Sequence, residues 1–205
     1  LGEYAALAGL PSLVAAVGPR FVAQVVSGAG AFTSEAVHPR SPLGRLQSWA
    51  RERGMPELSF DVQDPHSSAG GFGASTAQFA VAYRAYAELE GFDASALGAH
   101  KLYRELMQDE ALIPSGADLI AQWEGGITHF EPRKKIITPC FAKRDWSGLL
   151  VFSAASQAGR KTATHEHLAK LAEQGFPRRQ DERLLAELES LVKRAMQSFE
   201  GDGEL

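Results

Sequence analysis

An α+β fold is predicted by three observations. Strand-like and helix-like stretches follow one another in mixed order along the chain. No internal repeat and no low-complexity tract organises it. The 205 residues, 44% hydrophobic and 22% charged, suffice for one large domain or two small ones around a substantial buried core.

Two β-rich runs come first, SLVAAV (Ser12 to Val17) and RFVAQVV (Arg20 to Val26). Gly18-Pro19 between them reads as a hairpin turn, so the two runs are expected to pair with each other. Ser41-Pro42 then opens a short helix through LGRLQSWARER, with proline in the first turn, Gly54 just past the end and Pro56 beyond it. LSFDVQ (Leu58 to Gln63) alternates apolar and polar residues and reads as a half-buried strand. From Ala74 to about Leu89 the residues are small or apolar on nearly every side, among them Ala77, Phe79, Ala80, Val81, Ala82 and Ala85, which predicts a helix inside a domain. A second helix, Ala94 to Met107, follows Asp93 as its expected N-cap, and the loop QDEALIP follows the helix.

A short helix near Asp118 to Trp123, a Gly125-Gly126 turn and the strands ITHFEP and KKIITPC come next. GLLVFSAA (Gly148 to Ala155) is a continuous apolar run of strand length, consistent with a buried strand. Two helices close the sequence. The last, Asp181 to about Ser198, places Leu184, Leu185, Leu188, Leu191, Val192 and Ala195 on one face that must pack against something.

A formal charge of -4 argues against a sequence-independent grip on nucleic acid, which needs a dense basic surface. The single cysteine, Cys140, rules out an intramolecular disulfide and a cysteine-based metal cage, and a cytoplasmic location is the expectation that goes with it. No uninterrupted apolar run approaches the roughly 20 residues of a membrane-spanning helix. The opening LGEYAALAGLPSLVAAVG lacks a basic flank and carries Glu3, so it does not read as a signal peptide. It also starts without methionine, and FEGDGEL ends abruptly, so the sequence reads as a piece of a longer chain.

Three stretches could carry chemistry. GGFGASTA, Gly70 to Ala77, sets three glycines directly before a helix, where the backbone can approach a ligand and first-turn N–H groups lack intrahelical partners. With the helix dipole, that arrangement suits an anion such as phosphate, and Ser75 and Thr76 add hydroxyls. The spacing matches neither common phosphate-loop pattern and no lysine closes it, so a plain strand-to-helix turn explains it as well. In PSGADLIAQWEGG, Pro114 to Gly126, Ser115 and Asp118 have the spacing of a capping box, which would make Asp118 a first-turn acid. The functional alternative makes Asp118 the carboxylate that takes a proton from a substrate hydroxyl. SQAGRKTATHEH, Ser156 to His167, could hold an anion through Arg160 and Lys161 or simply be solvated. His165 and His167, two apart on a predicted helix, point in different directions and so make a poor metal pair.

Taken together these stretches resemble the GHMP kinases, the superfamily of galactokinase, homoserine kinase, mevalonate kinase and phosphomevalonate kinase. Gly2, Glu3, Tyr4, Ala5, Gly9 and Pro11 fall into that family's G-E-H/Y-A-V-x-x-G-x-P-A stretch. GFGASTA, Gly71 to Ala77, stands against its G-L-G-S-S-A-A phosphate loop. SGAD, Ser115 to Asp118, with Gly125-Gly126 stands against the stretch that carries the catalytic aspartate. The resemblance spans Gly2 to roughly His167.

It implies that Gly71, Gly73, Ala74, Ser75 and Thr76 wrap the phosphates of ATP. It also implies that Ser75 and Glu105 hold Mg2+, that Asp118 is the catalytic base, and that Glu3, Ser115 and Gly116 line the small-molecule acceptor. The implied fold is a domain like the second domain of ribosomal protein S5 over residues 1–145, then the start of a ferredoxin-like domain over residues 146–205. PSGAD looks like mevalonate kinase and GEYA like phosphomevalonate kinase, so either acceptor is expected. A homoserine or sugar kinase, or a catalytically lapsed nucleotide or metabolite binder of the same fold, is the alternative. No nucleic-acid or membrane partner is expected, and a homodimer is left open. The family's lysine ahead of G-E and its third glycine-rich motif fall outside the sequence, and Ala74 replaces the first serine of the phosphate loop.

Overall fold

The structure, a computed structural model, describes residues 1–27, 37–67, 72–140, 164–178 and 181–200. Its fold is α+β. In chain order the elements are α1 (Glu3–Leu7), β1 (Ser12–Ala15), β2 (Val22–Ser27), α2 (Pro42–Glu52), β3 (Leu58–Gln63), α3 (Ala74–Glu90) and α4 (Ala96–Leu106). Then follow α5 (Ala117–Glu124), β4 (Ile127–Glu131), β5 (Ile136–Cys140), α6 (Thr164–Glu173) and α7 (Glu182–Glu200). The expected strand at Gly148 to Ala155, the basic loop with Arg160 and Lys161, Gly71 and the boundary at 146 all lie outside the described residues, as do the side chains of Glu3, His165 and His167.

The strands form two antiparallel sheets, β1-β4-β5 and β2-β3. β1 and β2, expected to pair across Gly18-Pro19, do not pair with each other. β1 lies beside β4, with Ser12 opposite Phe130 and Ala15 opposite Ile127, while β2 lies beside β3, with Val22 opposite Gln63. Turn residues mark where a strand stops, but burial selects its partner. Ser12 and Leu13 are buried, as are Thr128, His129 and Phe130 on β4, so β1 and β4 share one covered layer. β2 instead leaves Val22, Val25 and Val26 exposed.

Local chemistry sets the helix starts. Ser41 caps α2 by accepting from the Gly44 amide at 3.1 Å, and Pro42 occupies the first turn, where its missing N–H leaves no bond unmade. α4 starts at Ala96 rather than Ala94, because Ser95 is the cap and accepts from the Gly98 amide at 3.0 Å. Asp93, expected in that role, instead accepts from the Ser95 amide at 2.9 Å and so shapes the turn that delivers the cap.

α5 stands at the junction of the core. Its Leu119 joins the large cluster built from α2, β3, α3 and α4, including Leu46, Phe60, Phe79 and Tyr86. Its Ala117 and Ile120 join a second cluster with Ala6 of α1, Ala96 of α4 and Phe130 of β4. On α7 only part of the expected stripe is covered: Leu185 and Val192 are buried, and Val192 packs with Leu13 and Cys140. Leu184 and Leu191 are exposed, because each sits one residue, about 100°, off the ridge that meets the sheet. Among the described residues, no helix is long and apolar enough to cross a membrane.

Candidate functional site

The cap of α3 is Gly73, at φ 73°, in the left-handed region that glycine enters without steric cost. No side chain caps this end. The amides of Ala74, Ser75 and Thr76 occupy the first helical positions, whose N–H groups have no partner within a helix. Ser75 is exposed and Thr76 is buried. A Cβ on residue 73 would stand 2.5 Å from Nε2 of Gln122, so a larger residue there would also displace that side-chain amide.

Asp118 and Gln122 are one turn apart on α5 and therefore share a face, and that face meets the cap of α3. Thr76 Oγ1 lies 3.0 Å from Asp118 Oδ2 and 2.8 Å from the Gly73 carbonyl oxygen. Gln122 Nε2 donates to the carbonyls of Gly73 at 3.0 Å and of Phe72 at 3.4 Å. Asp118 itself is exposed, yet protein crowds its carboxylate on the remaining sides. That crowding strips part of the water from the carboxylate. That desolvation raises its pKa, and the bonds from Thr76 and from backbone amides, with His100 nearby, oppose the rise.

The capping-box reading of Ser115 and Asp118 is not what forms. The α5 cap is Gly116, at φ 71°, and carries no side-chain bond. Ser115 Oγ accepts from the Ala117 amide at 3.3 Å, while Asp118 turns to Thr76. With the acid drawn to a tertiary partner, the reciprocal bond of a capping box has no donor-acceptor pair left. Behind this turn stands His100 of α4, buried, with Nε2 2.8 Å from the Ser115 carbonyl oxygen and its ring edge-on to Phe130. A carbonyl only accepts, so Nε2 carries the hydrogen. Burial lowers the His100 pKa. A Cβ on residue 116 would lie 2.7 Å from His100 Cδ2, so a larger residue there would have to displace the imidazole.

Of the residues singled out from sequence, Gly73, Ala74, Ser75, Thr76, Ser115, Gly116 and Asp118 come together around the α3–α5 contact. α1, with Glu3 at its start, is brought to α5 through Ala6 against Ala117 and Ile120. Glu105 is not brought in: it is exposed on the face of α4 opposite to the buried Ala99 and Tyr103. Among the described residues no group of three or more His, Cys, Asp and Glu could hold a metal ion. Two site residues, His100 and Gln122, escaped the sequence reading. Gln122 was detectable by its four-residue step from Asp118, and His100 by lying among the apolar positions Ala96, Ala99 and Tyr103 of α4.

Compared with known proteins, the chain matches no family model, no curated protein and no solved structure.

Proposed function

We propose that this site binds the phosphates of a nucleotide and transfers the terminal phosphoryl group to a small acceptor, which makes the protein an ATP-dependent small-molecule kinase. Within that class we read it as a GHMP kinase of the mevalonate branch, acting on mevalonate or phosphomevalonate. The observation that supports this most is the 3.0 Å contact between Thr76 and Asp118, which puts an uncapped glycine-led helix start and an accessible carboxylate side by side. Against the G-L-G-S-S-A-A motif, the hydroxyl lost at Ala74 reappears at Thr76, where the motif has alanine. The reading carries with it an S5-like domain over residues 1–145, the start of a ferredoxin-like domain over residues 146–205, and a cytoplasmic location.

In this reading the free amides at the start of α3 and the helix dipole bear on the phosphate charge. With mevalonate, the acceptor hydroxyl passes its hydrogen to Asp118 while its oxygen bonds the γ-phosphorus; with phosphomevalonate, an already ionised phosphate oxygen bonds the γ-phosphorus and Asp118 takes no proton. The bond from that phosphorus to the bridging oxygen breaks, and its electron pair leaves with ADP. Of the two residues expected to hold Mg2+, Ser75 stands at the start of α3, whereas Glu105 lies on the face of α4 opposite to the buried Ala99 and Tyr103.

A second reading, a nucleotide or metabolite binder whose catalysis has lapsed, is favoured by that outward-facing Glu105. Asp118→Ala separates the two. The kinase reading expects phosphoryl transfer to mevalonate to vanish while ATP affinity stays within a few fold, and near-normal turnover of mevalonate in the variant would remove Asp118 as the base.

A further inference from the structure

We propose that Thr76 is a positioning residue for Asp118: its one hydroxyl hydrogen moves between the Gly73 carbonyl and the carboxylate, so that Asp118 is hydrogen-bonded in both its ionised and its protonated form. Thr76 Oγ1 lies 2.8 Å from the Gly73 oxygen and 3.0 Å from Asp118 Oδ2. When Asp118 is ionised both neighbours are acceptors, and one hydroxyl hydrogen can serve only one of them fully. When Asp118 is protonated the conflict disappears, because Oδ2–H donates to Oγ1 and the Thr76 hydrogen turns to Gly73. The Gly73 carbonyl loses little when that hydrogen leaves, since the Ala77 amide at 2.9 Å and Gln122 Nε2 at 3.0 Å also donate to it. Thr76 is only 4% exposed, which leaves little room for water to replace its hydroxyl.

The titratable groups around Asp118 come mainly from α4, which contributes His100 and Tyr103, both sensitive to its charge. The first two turns of α3 hold no ionisable residue, β1 holds none, β4 carries His129 and Glu131, and α1 carries Glu3 and Tyr4. None of these adds a hydrogen that Thr76 could pass on. The catalytic consequence rests on the kinase reading: the hydrogen taken from the acceptor arrives on Asp118 without any bond at the cap of α3 being stranded. The exchange of hydrogen bonds itself does not depend on that reading.

The test is a carbon-13 NMR titration of the protein, following the Asp118 carboxyl and the Gly73 carbonyl together, with no nucleotide present. The Gly73 carbonyl is expected to titrate with the Asp118 midpoint. Thr76→Val is expected to abolish that response and to raise the Asp118 midpoint by roughly one pH unit, the scale of one lost charge-assisted bond, and Thr76→Ser to restore both. A Gly73 carbonyl that stays flat while Asp118 titrates, or an unmoved Asp118 midpoint in Thr76→Val, overturns the proposal. The wild-type titration decides alone should Thr76→Val not fold. Absence of ADP release with this coupling intact would count against the kinase reading only.

Discussion

The side-chain amide of Gln122 donates to the Gly73 carbonyl at 3.0 Å across 49 positions of sequence, and so ties α5 to the cap of α3. Gln122→Ala is expected to lower stability by about 0.5–1.5 kcal/mol, the net value of one neutral hydrogen bond. Gln122→Glu should cost more, since it faces a carboxylate with two carbonyl oxygens. Urea denaturation measures both, and a Gln122→Glu variant as stable as the wild type would remove the tie.

Two glycines should behave differently from a third that shares their torsion. Gly73, Gly116 and Gly91 all have φ of 71–73°, but a methyl group added at either of the first two would stand less than 3 Å from a side chain, while one added at Gly91 would meet nothing within 4 Å. Gly91→Ala is expected to cost about 1–2 kcal/mol, the left-handed penalty alone. Gly73→Ala and Gly116→Ala should each cost more, because Gln122 or His100 must also move. Equal losses at all three positions would mean that the close packing is not energetically felt.

Asp118 should be a site of negative stability at neutral pH. Its folded pKa is raised, so between the ordinary aspartate value and the raised one the native chain holds a proton that the unfolded chain has released. Stability therefore falls as pH rises through that window. Asp118→Asn is expected to be more stable than the wild type at neutral pH, with the gain fading below about pH 3.9. Thermal unfolding at several pH values reads this directly, and a destabilised Asp118→Asn at pH 7 would contradict the assignment.

His100 gives the opposite slope. Its folded pKa is lowered by burial, so below the ordinary value of about 6.5 the unfolded chain binds a proton that the native chain refuses. Stability is complete above that value and is lost as pH falls toward the folded pKa. His100→Gln, which keeps a donor for the Ser115 carbonyl, should flatten this part of the pH–stability curve. An unchanged slope would place the titration elsewhere.

Much of this fold was legible locally. The helix starts at Ser41-Pro42 and Ala74, the strand Leu58–Gln63 and the short helix around Asp118 follow from period and turn chemistry. Strand pairing was not legible, because β1 finds β4 more than a hundred residues away through shared burial, which no turn signal encodes. The site divides in the same way. Gly73 and Asp118 stood out by residue type, whereas the fate of Asp118 turned on Thr76, and the need for glycine at 116 turned on His100. Both are tertiary contacts, and the S-x-x-D spacing alone pointed to a cap that the structure replaces.

Phosphoryl transfer itself is decided by coupled ADP release, with ATP and Mg2+ supplied, and with mevalonate, phosphomevalonate and homoserine offered in parallel to the wild type and to Asp118→Ala. A kinase with Asp118 as its base releases ADP in dependence on mevalonate or phosphomevalonate, and the mevalonate-dependent release disappears in Asp118→Ala. ATP binding without acceptor-dependent ADP release for any of the three, or equal mevalonate-dependent release by the variant, would contradict that function.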